Sequence, residues 1–195
     1  PSCASSILKN LPRVSFTISQ NHEESMRKTL AALSVIFLAG CSTTSGTGPN
    51  VSHSGFDNAK IVSIDPHAGA CRVVVCTGLG AQWNAKRPAE VILIVHIFND
   101  LQAITGAKLN IDGEIHTLKI KETFTEFSRP GSILKESSKG FLVPIDVVRK
   151  ITNSQRTWLR VHTNSGSFED AVIDGQTDSK AFNALKRFLA EVDKK

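Results

Sequence analysis

From residue 60 onward, hydrophobic positions come in short runs separated by turn residues. Lys60-Ile61-Val62-Ser63-Ile64 reads as a β-run, and Asp65-Pro66-His67-Ala68-Gly69 is a turn by composition. Cys71-Arg72-Val73-Val74-Val75-Cys76 is rich in β-branched residues and is broken by Thr77-Gly78-Leu79-Gly80. Glu90 to Phe98 is the strongest segment. It is apolar at successive positions, as in a central strand buried on both faces, and Asn99-Asp100 ends it. Ala107 to Ile111 and Ile115 to Lys121 alternate on either side of Asp112-Gly113, a strong hairpin signal because glycine readily takes the positive φ of the tight turn. Leu109, Ile111, Leu118 and Ile120 are expected to share the buried face of that hairpin.

Further along, Ser128-Arg129-Pro130-Gly131 is a loop, and Gly140 to Val143 is a strand closed by Pro144. Apolar residues at 145, 147, 148 and 151 have helical spacing, predicting a two-turn helix from Ile145 to Asn153. Thr157 to Thr163 alternates, Asn164-Ser165-Gly166 turns, and Ser167 to Asp174 returns as a second hairpin. Asp178 is positioned to cap a last helix, whose Phe182, Leu185, Leu189 and Val192 form one stripe with Phe188 beside it. The pattern predicts a mainly β, α+β domain. It is an antiparallel sheet or sandwich of about eight strands, with one short helix and a C-terminal amphipathic helix packed on it. There is no Gly-rich phosphate loop and no parallel βαβ series, which argues against a nucleotide-binding α/β fold.

The N-terminal part has a different character. Met26 is followed by Arg27 and Lys28, then by an uncharged run from Leu30 to Gly40. A bilayer-spanning helix needs about 20 apolar residues. This run is too short, but it has the charged start and the length of a secretory signal. Cys41 to Asn50 is small and polar, as in a flexible tether. Leu38-Ala39-Gly40-Cys41 resembles the lipobox of bacterial lipoproteins. The resemblance implies cleavage before Cys41 and lipidation of its thiol, and Ser42 after the cysteine implies outer-membrane sorting. The expected organisation is an untranslated upstream extension (1–25), a signal peptide (26–40), a lipidated flexible tether (41–57) and one β-rich globular domain (58–195).

Charge changes this picture little. Four of the 23 Lys and Arg and two of the 18 Asp and Glu precede Cys41, leaving +3 on the mature chain. That is an ordinary soluble surface rather than a nucleic-acid footprint, so no nucleic-acid partner is expected.

Candidate chemistry is sparse. Cys71 and Cys76 form an even pair in an oxidising compartment and are either a disulfide or two buried thiols. In a straight strand they lie about 16 Å apart on opposite faces; a disulfide needs Cα atoms about 4.4–6.8 Å apart, and so requires a bent loop. His67 with Cys71 and Cys76 could supply zinc ligands, but a turn histidine beside a structural pair accounts for the same residues. No metal or cofactor is expected. His96, in an apolar run, reads as a satisfied core histidine, and His116 and His162 as surface residues. No G-x-S-x-G or H-E-x-x-H occurs, and no catalytic residue is assigned. Trp83 with Lys86 and Arg87 is a candidate contact for a glycan or peptide, weighed against Trp83 plugging the end of the β core. Trp158 reads as core or sheet-face packing.

Two further stretches resemble small uncharacterised proteobacterial envelope lipoproteins. They are Cys71-x4-Cys76 leading to Leu79-Gly80-Ala81-x-Trp83, and Lys180-Ala181-Phe182-x2-Leu185-Lys186-x-Phe188-Leu189. The expected function is a non-enzymatic interaction or structural module of the cell envelope, anchored in the outer membrane through lipid on Cys41 and facing the periplasm. Its expected partner is an envelope protein or glycan. The alternatives are an envelope hydrolase acting on peptidoglycan and a module binding a small apolar ligand.

Overall fold

A computed structural model describes residues 48–120, 125–128 and 131–194. The stretches expected to be an upstream extension, a signal peptide and a lipobox, with Cys41, lie outside them. The described residues belong to one compact unit, built from two antiparallel sheets and two helices. The first sheet has seven strands: β1 (Asn50–His53), β2 (Lys60–Ala68), β3 (Cys76–Asn84), β4 (Glu90–Phe98), β7 (Lys119–Ile120), β8 (Glu126–Phe127) and β9 (Glu136–Pro144). Its order is β1-β2-β3-β4-β9-β7, with β8 also on the edge of β9. The second contains β5 (Ile104–Ile111), β6 (Glu114–Thr117), β10 (Arg156–Thr163), β11 (Gly166–Asp174) and β12 (Thr177–Asp178), in the order β12-β11-β10-β5-β6. Among the described residues no helix is long and apolar enough to cross a membrane.

The expected mainly β class holds, and β4 is central, paired on both sides. Its inward Leu93, Val95 and Ile97 are fully buried and meet Leu109 and Val161 of the other sheet in one core. Helix α1 (Ile145–Asn153) starts after Pro144 as predicted and buries Val148 and Ile151. Helix α2 (Lys180–Val192) packs on β2, β3 and β11, so it closes one side of the sandwich with Phe182, Leu185 and Phe188.

Several local expectations are corrected. Asn50–His53, expected within the tether, pairs with β2 as an exposed edge strand. The turn expected at 65–69 is instead a continuation of β2, with an irregularity between Ile64 and His67. Pro66, which lacks an N–H, is tolerated at such a point. The break expected at Thr77–Gly80 is the start of β3. Its glycines serve close approach: a Cβ on Gly80 would lie 2.7 Å from the Ile64 carbonyl, and one on Gly78 would lie 2.4 Å from that of His67.

The strand expected from Ile115 to Lys121 divides at Leu118. Its first part, β6, pairs with β5, and its second, β7, pairs with β9 of the other sheet. Leu118 is buried as expected, but Ile120 is half exposed. The N-cap of α2 is Ser179 rather than Asp178. The Ser179 hydroxyl accepts from Phe182 N–H (3.1 Å) and donates to the Val172 carbonyl (2.6 Å), while Asp178 is held in β12 opposite Ile173.

Candidate functional site

The strand expected between Cys71 and Cys76 is a bent loop closed by a disulfide, with Cα atoms 5.5 Å apart. Its two ends are pinned. Gly69 N–H donates to the Thr77 carbonyl (2.9 Å), and Ala70 N–H donates to the Ala171 carbonyl on the edge of β11 (2.7 Å). Asp170, buried in β11, accepts from both the Thr77 N–H (2.7 Å) and the Thr77 hydroxyl (2.8 Å). Bonds from two donors to one carboxylate oxygen satisfy an otherwise costly buried charge. The two sulfurs and an Asp170 oxygen lie within 4.8 Å of one another. Sulfurs bonded to each other are not thiolate donors, so this cluster is structural. His67 turns its Nδ1 to the Asp65 carbonyl (2.6 Å).

This loop delivers Arg72 to the outer face of the five-stranded sheet. In β10, Thr157, Leu159, Val161 and Thr163 point into the core, so period-2 alternation turns Arg156, Trp158, Arg160 and His162 outward. Register places Asn110 and Ala171 on either side of Trp158, and Lys108 and Glu169 on either side of Arg160. The guanidinium carbons of Arg72 and Arg156 each lie 5.9 Å from the centre of the Trp158 ring. Such cation–π contacts contribute about 0.5–1 kcal/mol at exposed sites. Arg156 also pairs with Asp174 (3.3 Å) and Arg160 with Glu169. A cleft of about 490 Å³ opens here, lined by Lys108, Asn110, Ile115, Trp158, Arg160 and Glu169 among others. Four cations, counting Arg72, face two carboxylates. The Trp158 indole N–H, although buried, has no hydrogen-bond acceptor. The face is therefore donor-rich, net positive and aromatic, which suits ligands bearing acidic groups.

Trp83, Lys86 and Arg87 are brought together on the wall of one cleft, without the cation–π stacking seen at Trp158. Trp83 lies in β3, not in a loop. It is 9% exposed, and its indole N–H donates to the Pro88 carbonyl (3.1 Å). Lys86 and Arg87 remain at the exposed rim, ion-paired with Asp57 (3.9 Å) and Glu90 (3.8 Å) beside a cleft of about 250 Å³. Trp83 is thus packed at the edge of the core and also lines this cleft with Lys86 and Arg87.

His96 is buried beside Phe98, and its Nε2 is 3.6 Å from a Glu136 oxygen. Neither ring nitrogen makes a hydrogen bond, contrary to the expectation of a satisfied core histidine. Burial holds its pKa below the ordinary histidine value, and Glu136 opposes that shift. His116 is half buried next to Glu114 (3.4 Å).

The Arg156-x-Trp158-x-Arg160 alternation carried a readable signal for the outer face. Arg72 carried none, because only the bent loop brings it there. No protein-family model, curated protein or solved structure matches this chain.

Proposed function

We infer that this chain is a lipid-anchored cell-envelope protein whose β-sandwich acts as a non-enzymatic interaction module. The observation that carries the interaction reading is the Arg72–Trp158–Arg156 ladder on an exposed sheet face, flanked by Lys108, Asn110 and Arg160. Charge and donor count fit an envelope protein or glycan with acidic groups. The compartment is supported by the lipobox-like Leu38-Ala39-Gly40-Cys41 and by the Cys71–Cys76 disulfide, since such bonds persist where the medium is oxidising. Ser42 supports the outer membrane, with the domain facing the periplasm. The helix–sheet interface is filled by Ala181, Ala184, Leu185 and Phe188, all fully buried. That favours a surface module over one holding an apolar ligand beneath the helix.

Three measurements test this. The mass of the chain expressed from Met26 in a Gram-negative host is expected to show a lipidated form starting at Cys41, lost in Cys41→Ala. Cys71 and Cys76 should resist alkylation until reduced. A photo-crosslinking residue at position 160 is expected to trap a partner in intact cells, with the adduct lost in Trp158→Ala. An unprocessed chain overturns the anchor. Equal adducts with and without Trp158, or none at all, overturn the binding face.

A further inference from the structure

Among the described residues, six of the ten large apolar side chains that folding leaves exposed lie at one end of the sandwich; Val51, Phe56, Ile115 and Ile120 lie elsewhere. Cys76, Phe98 and Glu136 are neighbours in one row across β3, β4 and β9. The loop before Cys76, the connection after Phe98 and the segment before Glu136 therefore leave the seven-stranded sheet at the same end. Hydrogen bonds tie them together there: Asn99 Nδ2 donates to the Val74 carbonyl (2.8 Å), and Ser128 N–H donates to that of Glu136 (2.9 Å). These segments expose Val73, Val74, Leu101, Phe127, Ile133 and Leu134, with Val74 79% and Ile133 98% accessible. Large apolar side chains gathered on one exposed surface mark an interaction site. Lys135, exposed, adjoins Leu134 in sequence, while Arg72, next to Val73, is engaged over Trp158. Of the acids at this end, Asp100 is folded back onto Leu101 N–H (2.8 Å) and the Gln102 amide (2.8 Å), Glu136 faces His96, and Glu126 adjoins Phe127.

The direction of β1 bears on what can cover this end. β1 runs from Asn50, opposite Ser63, to His53, opposite Lys60. It therefore runs away from the apolar end, and Asn50 is the end of β1 nearer to it. Asn50 is nine residue steps from Cys41. At about 3.3–3.6 Å per residue they reach roughly 30 Å at most. We propose that the loop end carrying Val73, Val74, Leu101, Phe127, Ile133 and Leu134 inserts into the interfacial region of the lipid bilayer, as a second membrane contact beside the lipid on Cys41. The proposal rests on the lipid-anchor reading for the orientation of the chain. Apolar side chains supply the buried surface, and Lys135 meets anionic headgroups. The outer face with Trp158 lies along the side of the sandwich and stays open to a partner.

The test uses the whole chain purified from a Gram-negative host. It is reconstituted in vesicles of phosphatidylethanolamine and phosphatidylglycerol, with or without acyl-chain bromination. Tryptophan is introduced by Val74→Trp or Ile133→Trp at the apolar end, and by Phe56→Trp, fully exposed at the opposite end, as the control. Circular dichroism matching the parent establishes that each variant is folded. Bromolipid quenching is expected to be at least twofold greater than the parent's at positions 74 and 133, and unchanged at 56. No added quenching at 74 and 133, or equal quenching at 56, overturns the proposal. The mass of the same preparation reports the anchor separately. Lipid on Cys41 with unquenched loops overturns insertion alone. Quenched loops in a chain without lipid overturn the anchor and support insertion.

Discussion

His96 has its imidazole between Phe98 and Glu136, in a site that disfavours the charged ring. With its folded pKa below the ordinary value of 6.5, the unfolded chain binds the proton first as pH falls. Stability is therefore fully present above about 6.5 and declines as pH drops below it toward the folded pKa. The urea midpoint is expected to be lower at pH 5.5 than at pH 7.5. His96→Gln should reduce the part of that fall due to this residue, and Glu136→Gln should enlarge it by removing the carboxylate that offsets burial. An equal fall in His96→Gln and the parent contradicts the assignment. The sequence placed His96 in the core from its apolar neighbours, but it carried no information about Glu136, 40 residues away.

Helix α2 illustrates how an element's boundary is set. Asp178 and Ser179 are both capping residue types, and composition does not choose between them. The choice comes from β12, which holds Asp178 in the sheet and leaves Ser179 at the first turn. Ser179→Ala is expected to lower stability by about 1–2 kcal/mol through loss of the cap, because its hydroxyl also bonds the buried Val172 carbonyl. Asp178→Ala, at an exposed position, should stay within about 0.5 kcal/mol. Urea titration of both variants checks the pair; a larger loss from Asp178→Ala contradicts the assigned cap. The 71–76 segment follows the same logic. Its β-branched run favours a strand, but the disulfide and the ties to Thr77 and Ala171 over-rule that propensity.

At the scale of the whole molecule, α2 joins both sheets, touching β2 and β3 of one and β11 of the other. Phe188, fully buried in that interface, is a lever on both. Phe188→Ala should cost about 3–5 kcal/mol. Trp83 reports on the seven-stranded sheet and Trp158 on the five-stranded one, and their fluorescence should lose structure in a single coincident transition. Separate transitions would mean that the sheets unfold independently. What the sequence determined by itself was local: the hairpins at Asp112-Gly113 and Asn164-Ser165-Gly166, the start of α1 after Pro144, the central strand β4 and the apolar stripe of α2. Each depends on side-chain period or on backbone preference within a few residues; Asp112 and Gly113 both take positive φ, as their turn requires. What only the tertiary structure decided was pairing at a distance. It split the 115–121 run between two sheets at Leu118, joined Cys71 to Cys76, and set Arg72 over Trp158. Those contacts depend on which faces pack together once the chain has closed its long loops, and local pattern does not encode that.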